Sequence, residues 1–160
     1  MSLTAVEEAR FQSLLAEVDD PATSGRMRDF IQHGSVTTYD HTRRVAHTAF
    51  ALAMRAERRG AQIDERALVR GAFLHDYFLY DWHVKGPEDA DRHHATRHPL
   101  YAAANADRDF GLTPKERNII ESHMWPLPPG PSNRVPHSTE ACLVCIADKW
   151  CSLVETVAKR

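Results

Sequence analysis

Residues 64–78 read Asp64-Glu65-Arg66-Ala67-Leu68-Val69-Arg70-Gly71-Ala72-Phe73-Leu74-His75-Asp76-Tyr77-Phe78, and the period of this stretch sets the fold class. Asp64 offers a side-chain oxygen where a helix needs a cap. Leu68, Ala72 and His75 then recur at the spacing that stacks residues on one helical face. A helix from Glu65 to about Phe78 follows. Near its end the chain places a histidine and an aspartate in apolar company. A carboxylate there is costly unless it is paired or bound to a cation, so Asp76 is a residue that asks for chemistry.

The same period extends outward in both directions. Thr4 and Glu7 form a capping-box pattern ahead of Phe11, Leu14, Leu15 and Val18, predicting a first helix. Pro21 to Gly25 breaks it, and a short second helix is expected over Arg26 to Gln32. Gly34-Ser35-Val36-Thr37-Thr38 supplies a turn with several possible caps. From Tyr39 to Arg58, Val45, Thr48, Ala49 and Leu52 predict a long helix ended by Gly60. Residues 81–97 show no clean period and read as a polar loop. Pro99 suits the first turn of a helix running to about Arg108. Thr113-Pro114-Lys115-Glu116 is the clearest start signal in the chain, opening a helix to about Met124. Prolines at 126, 128, 129 and 131 then exclude regular structure until Ser138 or Thr139 starts a last helix to about Val157. With no strand-like alternation, the expected class is all-α, a compact bundle of six or seven helices forming one domain over residues 1–160.

Composition agrees with a globular chain. The 160 residues are 42% hydrophobic and 26% charged, with 20 Lys and Arg against 22 Asp and Glu, a net charge of −2. A near-neutral balance gives no electrostatic footprint for nucleic acid or an anionic membrane, and neither is expected as a partner. The N-terminus lacks a basic, apolar leader, and the longest apolar stretch, Ala49 to Met54, is too short to span a bilayer, so a cytoplasmic protein is the simplest expectation. Cys142, Cys145 and Cys151 are odd in number and clustered, unlike a secreted disulfide framework. Their helical setting makes them small core residues more readily than metal ligands. The abnormal count is histidine, 10 in 160, and imidazole is the commonest metal-binding side chain.

Six side chains stand out at helix ends or on apolar faces: His41, the adjacent pair His75-Asp76, His98, His123 and Asp148. Asp148 closes the apolar run Ala141-Cys142-Leu143-Val144-Cys145-Ile146-Ala147 and is costly there for the same reason as Asp76. No neighbouring Lys or Arg offers either acid an obvious partner. His94, four residues before His98, is a rival for its place, although Pro99 disfavours helix at residue 98 and so disfavours their pairing on one face.

The order His…His-Asp…Asp resembles the HD superfamily of metal-dependent phosphohydrolases. The surrounding text agrees: Tyr39-Asp40-His41-Thr42 with Val45-Ala46, Phe73-Leu74-His75-Asp76, and Ile146-Ala147-Asp148-Lys149. The resemblance covers about residues 34–155. It implies that His41, His75, Asp76 and Asp148 form the metal-binding quartet, and that His98 and His123 are the two extra histidines of the dinuclear branch, with Asp76 bridging two ions. The implied activity is hydrolysis of a small phosphorylated metabolite or nucleotide by metal-activated water. Asp76 and Asp148 would hold the metal and orient the hydroxide, and Lys149 is a catalytic candidate as a phosphate contact. Two features depart from the family pattern. Tyr77-Phe78-Leu79-Tyr80-Asp81-Trp82-His83 replaces the glycine and lysine usual after His-Asp, and the Gly-Tyr-Pro signature of the cyclic-dinucleotide subgroup is absent.

A mixed imidazole and carboxylate set suits a divalent transition metal, one or two ions of Fe, Mn, Zn, Co or Ni, better than an all-oxygen cage for Mg or Ca. The same ligands permit diiron oxidative chemistry, which some relatives in the superfamily use. A non-enzymatic helical module with a structural metal is the third reading. It would need a closed coordination sphere, which six ligands on five segments fit awkwardly.

Overall fold

The computed structural model describes residues 2–83, 94–126 and 134–157. Among them are helices α1 (Ala5–Leu15), α2 (Thr38–Glu57), α3 (Glu65–Leu74), α4 (His94–Phe110), α5 (Pro114–Ser122) and α6 (Thr139–Val157), with a 3-10 helix over Ser24–Asp29. The protein is mostly helical, as its periodicity predicts. Two start signals operate as read: Thr4 with Glu7, and Thr113 with Glu116, each form a reciprocal capping box.

Three boundaries differ from expectation, and each bears on the site. The short helix after Gly25 stops at Asp29, and the chain continues as an antiparallel hairpin of β1 (Ile31–His33) and β2 (Val36–Thr37). Gly34 turns it with φ at 58°. A side-chain period cannot reveal a two-residue strand. Helix α3 ends at Leu74 rather than at Phe78. His75 turns its Nδ1 back to the Ala72 carbonyl at 2.7 Å, and the Asn105 amide takes the Tyr77 and Phe78 carbonyls at 3.1 and 3.0 Å. Carbonyls satisfied by a side chain of α4 need no further helical turn.

The third difference is α4, which begins at His94 and carries Pro99 inside it. Pro99 is the sixth residue of the helix, past the four donors that go unpaired at a helix start, so the helix forgoes one backbone hydrogen bond to include it. His98 is therefore helical, against the sequence expectation, and its ring stacks on His94 with centroids 4.7 Å apart. Residues 84–93 of the expected polar loop and residues 127–133 of the proline-rich segment lie outside the described residues.

Helix α2 forms the centre, packed against α3 and α6, while α5 packs against α3, α4 and α6. Phe50, Leu68, Phe73, Leu74, Ile119 and Ile120 are fully buried between them. At Gly71 the α3 and α5 helices come so close that an added Cβ would meet Ile119 Cγ2 at 2.7 Å. That approach sets the C-terminal ends of both helices side by side, and these ends carry His75 and His123. No helix among the described residues is long and apolar enough to cross a membrane.

Candidate metal centre

All six ligand candidates converge in one buried cluster. His41 lies in the first turns of α2, His75 and Asp76 just beyond α3, His98 early in α4, His123 just beyond α5, and Asp148 at mid-α6. None is more than 7% exposed. Donor atoms of His41, His75 and Asp148 lie within 4.8 Å of one another, and so do those of His75, Asp76 and His123. His75 belongs to both groups, and the Asp76 carboxylate reaches from one to the other. Its Oδ2 stands 3.2 Å from His75 Nε2 and 3.8 Å from His41 Nε2, while its Oδ1 stands 3.3 Å from His98 Nε2 and 3.5 Å from His123 Nε2.

The ring orientations are fixed by the groups behind them. A carbonyl oxygen can only accept, so each histidine facing one must donate. His75 Nδ1 donates to Ala72 O at 2.7 Å, His98 Nδ1 to His94 O at 2.8 Å and His123 Nδ1 to Ile120 O at 2.7 Å. His41 Nδ1 is 3.0 Å from Glu155 Oε2. Every ring thus turns its Nε2 toward the common space, the arrangement by which backbone carbonyls and carboxylates orient metal-binding imidazoles.

Several of those inward atoms lack hydrogen-bond geometry. His75 Nε2 and Asp76 Oδ1 have no hydrogen-bond partner despite ion-pair neighbours within 3.5 Å, because the angles are wrong for a shared proton. His98 Nε2 and His123 Nε2 are 2.9 Å apart. Two lone pairs at that separation repel unless a proton or a cation lies between them. Two nitrogens each about 2.0–2.1 Å from one ion and at right angles would stand about 3 Å apart. The residues therefore fit a bound divalent cation.

Electrostatics point the same way. For His75, burial opposes the charge, yet Asp76 and Asp148 hold its pKa well above the ordinary value. For His41, burial again opposes, and the hydrogen bonds to Asp148 and Glu155 win, raising it to about 9. Burial would raise both acids, but His75 and His98 hold Asp76 well below the usual carboxylate range, and His41 and His75 do the same for Asp148. His123 is pushed down to about 3 by burial and by the His75 charge, so it stays neutral. The directions oppose one another across the cluster: the buried acids favour their anionic form, and their negative charge favours positive charge at His41 and His75. A divalent ion would supply that same charge.

Two contributors escaped the sequence reading. Gln32 Nε2 donates to Asp76 Oδ2 at 2.7 Å from the first strand of the hairpin, and no periodic signal points to it. Glu155 holds His41 and also takes the Arg44 guanidinium. Here a signal existed, because Glu155 lies seven residues after Asp148 on the same buried stripe of α6. A carboxylate in the last turn of a helix also opposes the dipole and asks for a reason.

Lys149 sits at the rim, with Nζ on the His123 and Cys145 carbonyls at 2.9 and 3.3 Å. His94 is not among the grouped donors. Its Nδ1 is 2.8 Å from the Tyr80 hydroxyl, and its ring lies between Trp82 and His98. Burial and the neighbouring His98 lower its pKa to about 4. A cavity of about 510 Å³ opens over the cluster, walled by Gln32, Trp82, His94, Met124, Lys149 and Ser152. All three cysteines are free.

Comparison with known proteins gives one positive result. A family model described as the HD domain matches residues 38–152, more than two thirds of the chain. Neither the curated proteins nor the solved structures contain a match.

Proposed function

The chain belongs to the HD domain family, and from that membership we propose that it is a metal-dependent phosphohydrolase acting on a small phosphorylated metabolite or nucleotide. HD domains bind divalent metals, and the clustered imidazoles and carboxylates described above can hold one or two. The observation that carries the proposal is the division of labour at Asp76. One carboxylate oxygen faces His41 and His75 and the other faces His98 and His123, so a single side chain addresses both halves of the cluster.

In this reading His41, His75, Asp76 and Asp148 hold one divalent transition-metal ion, and His98 and His123 share Asp76 to hold a second. A bound ion of this kind supplies Lewis acidity, polarising a phosphoryl oxygen and bringing the pKa of water toward neutrality. The residues do the rest by position. Gln32 clamps the Asp76 carboxylate in the orientation that divides its oxygens. Glu155 keeps the His41 Nε2 facing inward, and Ser152 donates to Asp148 Oδ1 at 3.3 Å. Lys149 contributes positive potential at the cavity mouth, where a phosphate would sit. The cavity suits a small molecule rather than a polymer.

The test uses protein purified without oxygen and analysed for metal content. Metal-dependent release of phosphate from some member of a broad phosphoester panel, lost on chelation and restored by the same metal, is the expected result. A full metal complement with no phosphate released from any of them sinks the proposal.

One observation favours a second reading. Lys149 is the only cation among the described residues lining the cavity, and its ammonium is already turned to two carbonyls. Phosphate sites ordinarily offer more positive charge. A diiron centre performing oxidative cleavage of an organic substrate uses the same ligands with less need of it. Oxygen consumption coupled to substrate loss, with iron changing oxidation state, would choose this alternative.

A further inference from the structure

Helix α6 distributes its side chains in an inverted way. Its carboxylates Glu140, Asp148 and Glu155 are all buried. Ile146, Trp150, Leu153, Val154 and Val157 stand 57, 58, 56, 42 and 59% exposed. Of the nine exposed residues on this helix, one, Lys149, is charged. Five of the ten large hydrophobic residues exposed in the described chain therefore crowd onto one element, a concentrated patch rather than ordinary scatter.

We propose that this face is a self-association surface, on which α6 packs antiparallel against α6 of a second copy about a two-fold axis at Trp150. The spacing supports the pairing. Leu143, Ile146, Trp150, Leu153 and Val157 alternate steps of three and four residues, the seam pattern of helices packed side by side. With Val154 in place of Leu153, half-buried Leu143 and exposed Ile146, Trp150, Val154 and Val157 form a set on the same face that is symmetric about Trp150. Leu143 and Val157 lie seven residues either side of Trp150, and Ile146 and Val154 lie four either side. An antiparallel two-fold places each of these on an apolar partner and Trp150 on its own copy, the self-complementarity that an isologous interface requires.

The size of the face favours the same occupant. The five side chains present on the order of 500 Å² per copy, against about 800 Å² per partner in a standard stable interface. The flanking exposed Thr139, Cys142 and Thr156 extend the face toward that figure. Among the described residues of α6 a charged peptide or an anionic membrane would find Lys149 alone to read, whereas a second copy brings a matching uncharged stripe. The surface lies on the back of the helix that carries Asp148 and Glu155, so association would brace the metal-holding element without occupying the cavity. The inference does not depend on which reaction the centre performs.

Sedimentation equilibrium of the metal-bound protein should give twice the 18.1 kDa chain mass. Trp150→Lys and Leu153→Lys should each return the single-chain mass while helical content and bound metal stay unchanged. In a Cys142→Ser background, Trp150→Cys should join two copies under mild oxidation. A single-chain mass for the unaltered protein at its highest soluble concentration overturns the proposal. So does a dimer that survives both lysine variants. Efficient oxidative linking of Cys142 to its own counterpart would mean a parallel arrangement and overturns the antiparallel geometry.

Discussion

Two of the places where the protein buries charge are treated oppositely. Between α3 and α5, Arg70 and Glu116 are 5 and 1% exposed. Arg70 Nε meets Glu116 Oε1 at 2.5 Å, and its Nη2 reaches the carbonyls of Phe110 and Gly111 at 3.3 and 2.9 Å. Glu116 Oε2 accepts from the Thr113 backbone at 2.7 Å and from its hydroxyl at 3.0 Å. The pair is closed, each charge answered by a fixed group of this chain. At the metal centre the burial is equal, but His75 Nε2 and Asp76 Oδ1 are left without hydrogen-bond partners. The contrast separates structural charge from functional charge. A buried acid held for stability brings its own cation, whereas one held for a metal is supported from behind and left open in front.

The sharpest way to break this contrast is to remove Asp76. Asp76→Ala takes away the carboxylate whose two oxygens face the two halves of the cluster, so bound metal per chain should fall to the background of a chelated sample and any turnover should vanish. Elemental analysis against the unaltered protein reads the result directly. Retention of half the metal would mean that the His41, His75 and Asp148 group holds an ion alone.

At the closed pair the expectation is reversed. Arg70→Met leaves Glu116 buried without its guanidinium, and breaking such a pair costs about 3–5 kcal/mol. Denaturant unfolding should show that loss, while metal stoichiometry at low temperature stays the same. A variant that keeps its stability but sheds metal would erase the distinction between the two clusters.

How much of this was legible in the sequence follows from the same contrast. The candidate ligands announced themselves because they are chemically abnormal where they stand: Asp76 and Asp148 in apolar runs, His75 and His123 beside helix ends. The helices were legible because their caps and period are local. What was not legible depends on tertiary partners. Arg70 looks like any exposed helix residue until Glu116 arrives from α5. Gln32 was assigned to a helix, and only the hairpin turns its amide to Asp76. Beyond the end of α3 the carbonyls of Tyr77 and Phe78 are taken by Asn105 of α4, and His98 is helical because α4 runs through Pro99. Local signals find what is unusual in its own neighbourhood, and they miss ordinary residues made important by distant contacts.

Glu155 offers a finer test, because it supports the open cluster without belonging to it. Glu155→Gln keeps the size and one hydrogen-bond acceptor but removes the charge behind His41. Loss of such an outer partner lowers metal affinity by about 10- to 100-fold. Competition with a chelator of known strength measures it. Unchanged affinity would reduce Glu155 to an anchor for Arg44.

The open cluster should also carry a pH dependence that bound metal removes. His41 faces Asp76, Asp148 and Glu155, with His75 as its like-charged neighbour. In the metal-free protein its pKa rises to about 9 from an ordinary value of 6.5. A raised value means that the folded state holds this proton more tightly than the unfolded chain does. The stabilisation is complete below about pH 6.5 and is lost as pH climbs toward 9. Metal binding displaces that proton, so the loaded protein should escape the decline and the gap between loaded and metal-free melting temperatures should widen across that interval. Melting curves of both forms from pH 6 to 9 decide the matter, and parallel curves would show that the protons on His41 and His75 do not occupy the place of the metal's charge.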